Sequence, residues 1–248
     1  MALNIVSLNV NGLKDKNKRS TIFHWLKQNN FDICLLQETH CDTETEINIW
    51  QKEWNGKMYF SLGTNMSKGV LILIKQSLDI DIPDNVKEND GRFVHVHCKV
   101  DDFKFSIINI YAPNAPSERK KFFNFLCNEV SEIRHDDLDH NFIIGGDFNC
   151  TLNPQKDRRN DKGHNAKQPD FGFTELSNLK NKSDLEDIFR SRYPLIKKYT
   201  FHKKNSKIAS RIDLWLTSKL LNSNIAKTKI INAPASDHQA IILQLNTD

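Results

Sequence analysis

The fold of this chain is decided by the stretch Asn141-Phe142-Ile143-Ile144-Gly145-Gly146-Asp147-Phe148-Asn149. Its apolar run is too short for a helix and meets a double glycine, which predicts a buried strand that breaks at the glycines. Asp147 and Asn149 follow that break two residues apart, so an extended segment points both side chains the same way. Residues at the end of a buried strand are held by rigid backbone where catalytic groups commonly lie. Taken alone, the stretch also fits a strand followed by an ordinary Asx-type turn.

The composition is typical of a globular intracellular protein. Of the 248 residues, 38% are hydrophobic and 27% charged, and we predict one domain spanning residues 1–248. The formal net charge of +4 permits an anionic partner without demanding one. Five cysteines without a CxxC pair favour reduced thiols over a disulfide framework or a zinc site. The chain has no apolar run of membrane-spanning length and no signal peptide, so we expect no membrane association.

The order of apolar patterns is typical of a layered α/β protein. Besides the opening stretch, strands are predicted at residues 3–10, 32–37, 58–62, 69–74, 92–100, 103–111, 199–202, 208–217, 229–232 and 239–245. Helices are predicted after the caps Asp15, Thr43 and Ser117 and at residues 171–179 and 184–190, with a long surface loop at residues 153–169. Strands precede helices in the first half and hairpin-like strands fill the second, which predicts mostly antiparallel sheets.

One predicted strand carries two histidines on the same face. Its valines alternate with His95 and His97 in residues 92–100. Two histidines at this spacing are candidate metal ligands, but the ordinary alternation favours a partly exposed strand face.

Polar residues end several separate apolar strands. They are Asn9, Glu38, Tyr111, Asp147 with Asn149, Asp213, and Asp237 with His238. Together they supply a ligand for a divalent metal, groups that position water, and a histidine with candidate carboxylate partners. Each residue alone fits an ordinary turn or strand end, but the recurring context favours one shared site.

Seven ordered blocks covering nearly the whole chain resemble the exonuclease, endonuclease and phosphatase superfamily, which includes DNase I and the abasic-site endonucleases. The blocks are Leu8-Asn9-Val10-Asn11-Gly12, Gln37-Glu38-Thr39-His40, Asn109-Ile110-Tyr111-Ala112-Pro113-Asn114, Gly146-Asp147-Phe148-Asn149, Tyr199-Thr200-Phe201, Arg211-Ile212-Asp213 and Ser236-Asp237-His238. The wording is most similar to the endonuclease domain of LINE-type, non-LTR retrotransposons. Abasic-site enzymes usually carry Asp at the position of Asn11 and Leu at that of Phe148.

The resemblance implies a four-layered α/β sandwich, DNase I-like, with two packed sheets flanked by helices and the site at their top. It also implies that Glu38, with Asn9, holds Mg²⁺, for which Mn²⁺ is a possible substitute. Asp147 then orients or deprotonates the attacking water, and Asn149 holds that geometry.

The remaining catalytic roles follow from the same resemblance. His238 donates to a phosphoryl oxygen, and Asp213 fixes the ring and charge state of His238. Asp237 orders the metal shell or His238, and Tyr111 contacts the scissile phosphate.

A basic hairpin beside these blocks is a candidate DNA-binding surface, although a solvated hairpin explains its lysines as well. In related retroelement nucleases the corresponding loop influences target choice, so we expect residues 202–207 to enter or flank the minor groove. The residues predicted to contact DNA are Asn11, Asn114, Arg158, Thr200, His202, Lys203, Lys204, Lys207 and Arg211.

The sequence therefore predicts a Mg²⁺-dependent endonuclease that nicks one DNA strand and leaves a 3′-hydroxyl primer for target-primed reverse transcription. The expected partners are double-stranded DNA and the reverse transcriptase domain of a larger polyprotein, from which this domain is excised. We expect action in the nucleus and no small-molecule cofactor. The alternatives are an abasic-site repair endonuclease of the same fold and a catalytically silent DNA-binding module.

Overall fold

Two six-stranded sheets flanked by helices form the protein in the computed structural model, which describes residues 1–82, 87–136 and 140–247 apart from the side chains of residues 135 and 136. The strands are β1 (Ala2–Asn9), β2 (Ile33–Gln37), β3 (Gly56–Ser61), β4 (Val70–Lys75), β5 (Lys87–Asn89), β6 (Phe93–Val100), β7 (Phe103–Tyr111), β8 (Phe142–Asp147), β9 (Arg158–Arg159), β10 (Leu185–Asp187), β11 (Phe201–His202), β12 (Ala209–Ser210), β13 (Asp213–Ser218), β14 (Ile225–Ile231) and β15 (Ala240–Asn246). The helices are α1 (Lys16–Gln28), α2 (Glu44–Trp54), α3 (Pro116–Asp136), α4 (Pro154–Asp157), α5 (Phe173–Lys182) and α6 (Ile188–Arg192), with a 3₁₀ turn at Lys219–Ser223. Among these described helices, none is long and apolar enough to span a membrane.

Each of the two sheets combines strands from the first and the second half of the chain. The first sheet has the order β14-β15-β1-β2-β4-β3 and the second has the order β10-β13-β8-β7-β6-β5. One pair in each sheet is parallel, β1 with β2 and β7 with β8, whereas the other pairs are antiparallel. The prediction of mostly antiparallel sheets is confirmed.

Three apolar cores separate four layers. Along β1, Leu3 and Ile5 point into the core between the sheets, whereas Val6 and Leu8 point into the core that α1 and α2 cover. A third core joins the second sheet to α3 and α5. Because side chains alternate along a strand, Asn9 lies on the same side as Ile5, at the upper end of the space between the sheets. The four-layered α/β sandwich is thus confirmed.

The double glycine lies inside its strand, so the predicted break there was wrong. A Cβ on Gly145 would lie 2.1 Å from the Trp215 ring, and a Cβ on Gly146 would lie 2.0 Å from the carbonyl oxygen of Ile110. Gly146 also has a φ of 143°, which side chains rarely tolerate. The glycines let neighbouring strands approach β8 and carry it on to Asp147.

The predicted exposed face of the histidine strand was wrong for His95, which is fully buried. Its Nε2 lies 2.7 Å from Ser106 Oγ, and the same hydroxyl lies 3.2 Å from His97 Nδ1 and 2.7 Å from His140 Nε2. Phe93 shares this face of β6 and packs on Phe125 of α3, which shows that helices cover it. Burial, with the nearby histidines, lowers the pKa of His95 to about 3 and keeps the ring neutral.

Some of the predicted helix starts and segments agree with the structure and others do not. The side chains of Asp15 and Thr43 cap α1 and α2 as predicted. Helix α3 begins at Pro116, so the predicted cap Ser117 lies inside it. The predicted helix at residues 184–190 is a strand, β10, followed by α6, and the predicted loop at residues 153–169 contains α4 and β9.

Candidate active site

The cleft lies at the upper ends of the two sheets and has a volume of about 240 Å³. It brings together residues that are far apart in the chain because register places strand ends side by side. Asp147 opposes Tyr111 across the parallel pair β7 and β8, and opposes Asp213 across β8 and β13. The lining residues are Asn9, Asn11, Glu38, Asn114, Asp147, Asn149, Phe201, Ile212, Asp237 and His238.

Asn9 connects two carboxylates that line the cleft. Its Nδ2 donates to Glu38 Oε1 at 3.2 Å and to Asp147 Oδ2 at 2.9 Å. Its Oδ1 accepts from the backbone N–H of Asn11 at 3.0 Å, which fixes the orientation of the amide. An amide N–H group is a donor and not a metal ligand. The two donated hydrogen bonds position the carboxylates of Glu38 and Asp147, and metal ligation by the Asn9 amide oxygen stays a prediction.

Asp147 is a buried carboxylate with a strongly shifted pKa. Burial and the neighbouring charge of Asp213 raise the pKa of Asp147 to about 7. One oxygen accepts from the backbone N–H of Asn149 at 2.8 Å, and the Asn149 side chain donates to the carbonyl of Ala112 at 2.8 Å. A carboxylate held in this way and titrating near neutrality suits a general base.

His238 and Asp213 form a buried carboxylate–imidazole pair. His238 Nδ1 lies 2.9 Å from Asp213 Oδ2 and 3.2 Å from Asp213 Oδ1. Burial alone would lower the pKa of His238, but Asp213, Asp147 and Asp237 raise it to about 10. The ring is therefore an imidazolium at neutral pH, and its Nε2 is left to donate toward the cleft.

Asn114 lines the cleft, and the buried Tyr111 lies next to it. Asn114 Nδ2 donates to the Tyr111 hydroxyl at 3.3 Å. Burial and Glu38 raise the pKa of Tyr111, so its hydroxyl stays protonated and can donate a hydrogen bond. Arg92, which was missed from the sequence, lies 5.1 Å over the Tyr111 ring and donates to its carbonyl at 3.2 Å. This contact holds Tyr111 from outside the cleft.

Four non-glycine residues around the cleft have left-handed backbone conformations. The φ angles are 47° at Asn11, 52° at Glu38, 59° at His40 and 48° at Asn149. Such conformations are uncommon, particularly for Glu, and cluster where function requires a fixed geometry. The backbone N–H of Gly12 donates to the Glu38 carbonyl at 2.6 Å and joins two of these loops.

Ser236 belongs to one of the seven blocks, but the sequence assigned it no role. Its hydroxyl donates to the carbonyl of Asn9 at 2.6 Å and accepts from the backbone N–H of His238 at 3.0 Å. It thus ties the first strand end to the last motif. The available signal was its position two residues before His238, where serine commonly forms a turn with its own backbone.

Two residues that were predicted to contact DNA are buried instead. Arg211 is fully buried, with hydrogen bonds of 2.9 and 2.8 Å to Asp157 and of 3.1 Å to Asp187. Thr200 is also fully buried, and its hydroxyl accepts from the backbone N–H groups of Ile212 and Asp213 at 3.1 Å each. The prediction for both was wrong, because neither side chain is available to a ligand at the surface.

The other predicted DNA contacts lie at or near the surface. His202, Lys203, Lys204 and Lys207 are exposed in and after β11, next to Phe201, whose ring lies 5.0 Å from that of His238. The hairpin therefore borders the cleft. Asn11 is exposed, with Nδ2 3.4 Å from Asp237 Oδ1, and Arg158 is half-buried in a 2.6 Å ion pair with Asp170. DNA contact by these residues stays a prediction.

Acidic residues in and beside the cleft offer ligand atoms for a divalent metal. Asp147, Asp213 and His238 offer ligand atoms within 4.8 Å of one another. These three residues fit a metal poorly, because His238 is protonated and hydrogen-bonded to Asp213. A metal ion binds only the neutral imidazole. Glu38 at the cleft wall and the exposed Asp237 supply carboxylate oxygens that suit Mg²⁺, which takes few protein ligands and keeps several waters.

Two stacked sheets that bring a carboxylate-backed imidazolium and further carboxylates to one cleft are typical of phosphodiesterases of the nuclease type. The endonuclease/exonuclease/phosphatase family model matches residues 6–238, and the chain belongs to that family. It is 31% identical over 248 residues to the Transposon TX1 uncharacterized 149 kDa protein of Xenopus laevis. That alignment covers 99% of this chain and 18% of the Xenopus protein, so the chain spans less than a fifth of its relative.

Solved structures share the DNase I-like fold across the whole chain. An AP endonuclease from Leishmania major superposes with a TM-score of 0.84 at 17% identity, covering 100% of this chain and 88% of that one. The endonuclease domain of TRAS1, a telomere-specific non-LTR retrotransposon, superposes with a TM-score of 0.71 at 13% identity, covering 100% and 99%. The resemblance to a retrotransposon endonuclease is therefore confirmed.

Proposed function

We propose that this protein is a Mg²⁺-dependent DNA endonuclease that nicks one strand of its target and leaves a 3′-hydroxyl primer for reverse transcription. The observation that carries the proposal is the convergence of Glu38, Asp147 and the Asp213–His238 pair on one cleft. The identity to a transposon protein supports the retroelement role.

Asp147 orients or deprotonates the attacking water. Its pKa of about 7 lets it accept a proton, while Asn149 and Asn9 hold one oxygen each. A positioned carboxylate of this kind contributes about 10²–10⁴-fold to the rate. Glu38 and Asp237 would hold Mg²⁺, which would supply positive charge to offset the anionic phosphate.

His238 and Tyr111 stabilise the negative charge that develops on the phosphate oxygens. Asp213 accepts from Nδ1 of His238, so the Nε2–H donates to a phosphoryl oxygen as charge builds there. The protonated Tyr111 hydroxyl contacts the same phosphate. Both groups stay protonated over the working pH range because of the shifts in their pKa values.

Double-stranded DNA and a reverse transcriptase domain of the same polyprotein are the partners of this activity. The enzyme acts in the nucleus as one domain, accepts Mn²⁺ in place of Mg²⁺, and needs no small-molecule cofactor. The short share of the Xenopus relative that the chain spans supports its origin in a larger polyprotein.

The test is nicking of supercoiled plasmid with Mg²⁺, Mn²⁺ or a chelator, followed by mapping of the new ends. We expect wild-type protein to leave 3′-hydroxyl ends, and Asp147→Ala and His238→Ala to lose about 10³-fold or more in rate. The exposed Asp161→Asn serves as the matched control. Near-wild-type nicking by either site variant contradicts the assignment.

Two further arms separate the alternatives. Much faster cleavage of an abasic duplex than of the intact duplex would favour a repair endonuclease. DNA binding without cleavage under all metal conditions would identify a silent binding module.

A further inference from the structure

A groove of about 450 Å³ lies between α6, the segment after it, and the edge strand β14. Phe189 and Ile230 form its buried apolar floor, and the stems of Lys198 and Lys229 form part of its wall. The full lining is Phe189, Tyr193, Ile196, Lys198, Thr228, Lys229, Ile230 and Ile231. We call this surface the β14 groove. None of these residues lines the catalytic cleft.

Large apolar side chains beside the β14 groove are exposed to solvent. Leu195 is 80% exposed, Ile196 51% and Tyr193 37%. A single exposed apolar residue needs no explanation, but a group of them next to an apolar groove is typical of an interaction site.

Lysines form an uncompensated positive rim around the same groove. Lys197, Lys198, Lys227 and Lys229 are all exposed. Lys227, with a contribution from Lys198, lowers the pKa of Lys229, which shows that these ammonium groups repel one another. Among the residues that the structure describes, no carboxylate pairs with any of the four. Such a rim favours an anionic partner.

The edge of β14 is closed to an added strand. The Tyr193 hydroxyl lies 3.4 Å from the carbonyl oxygen of Thr228, and Lys198 Nζ donates to the carbonyl of Ile230 at 2.5 Å. These side chains occupy the backbone acceptors that strand addition would use. A partner must therefore bind through its side chains.

We propose that the β14 groove binds an acidic, amphipathic segment of a protein. An apolar side chain of that segment fills the groove against Phe189 and Ile196, and its carboxylates pair with the lysine rim. Nucleic acid suits this surface less well, because a phosphate backbone uses lysines but leaves the exposed Leu195 and Ile196 without a role.

Selection of random 12-residue peptides displayed on phage against the immobilised full chain tests this proposal. We expect the enriched peptides to combine Asp or Glu with Leu, Ile or Phe. Fluorescence anisotropy should then show that Ile196→Ser and the double variant Lys227→Glu/Lys229→Glu each weaken peptide binding about tenfold or more.

A second lysine pair provides the matched control. Lys99 and Lys104 are exposed and face each other across β6 and β7 in the second sheet. Lys99→Glu/Lys104→Glu makes the same change of charge and should leave peptide affinity unchanged. Circular dichroism melting verifies that each variant is folded, and plasmid nicking should stay at the wild-type rate in all of them.

Three results would overturn the proposal. The first is a selection that enriches no acidic, apolar consensus, and the second is a peptide whose affinity survives both groove variants. The third is a loss of binding to a 20-base-pair duplex in Lys227→Glu/Lys229→Glu, but not in the control, which would identify a DNA surface. Because nicking is measured separately, failure here is distinguishable from failure of the nuclease proposal.

Discussion

Replacing Asp213 with asparagine removes the charge that faces His238 Nδ1 at 2.9 Å. The rise in the pKa of His238 from 6.5 to about 10 corresponds to about 5 kcal/mol in favour of the imidazolium. Burial opposes that form, and Asp213 is the largest of the causes that raise the pKa of His238, ahead of Asp147 and Asp237. We expect the pKa of His238 to fall in Asp213→Asn and kcat/KM at pH 7.5 to drop about 10²–10⁴-fold.

The assay combines two measurements on Asp213→Asn. Single-turnover nicking from pH 6 to 9 at fixed Mg²⁺ should show the descending limb of the rate profile shifted to lower pH. An NMR titration of the His238 ring without Mg²⁺ should show the lowered pKa directly. Asp161→Asn, at an exposed loop position, should change neither measurement. An unchanged pH profile, or a His238 pKa still near 10, would refute the reasoning.

Three other perturbations test the buried ion pairs, the histidine cluster and the hairpin. Arg211→Leu leaves the buried Asp187 without its ion-pair partner and the buried Asp157 with Arg190 alone, so urea unfolding should show a loss of about 3–5 kcal/mol. The pKa of His95 is about 3 when folded against 6.5 when unfolded, so its contribution to stability is present above pH 6.5 and is lost as the pH falls toward 3. Urea midpoints should decline over that window, and less steeply in His95→Gln. Replacing Lys203, Lys204 and Lys207 with alanine should flatten the salt dependence of DNA binding. The number of counterions released on binding should fall by up to about three.

Each of these has its own control. Arg158→Leu breaks a half-buried ion pair and should cost only about 1 kcal/mol. Equal losses for both arginine variants would contradict the central role of Arg211. An identical pH slope with and without His95 would assign the acid sensitivity to other groups. Lys99→Ala/Lys104→Ala should leave the salt dependence of DNA binding unchanged. A wild-type salt dependence in the Lys203, Lys204 and Lys207 variant would exclude that hairpin from the DNA-binding surface.

The sequence by itself determined many of the helices and strands and many of the residues that meet in the cleft. Helix caps at Asp15 and Thr43 and the alternation along β1 are local properties, so neighbouring residues suffice to predict them. The polar residues that follow apolar strands, such as Glu38 and Asp147, were predictable for the same reason. Strand ends gather at the edge of a sheet, which is why those residues meet.

Tertiary structure alone decided which polar side chains are buried. Arg211 was expected to contact DNA because it lies near a lysine-rich hairpin, but Asp157 and Asp187 fold over it from two other segments. His95 is shielded from solvent in the same way, by Ser106 and by the helices that cover that face of the sheet. Burial depends on what packs against a residue from distant parts of the chain, and the local pattern carries no record of those contacts.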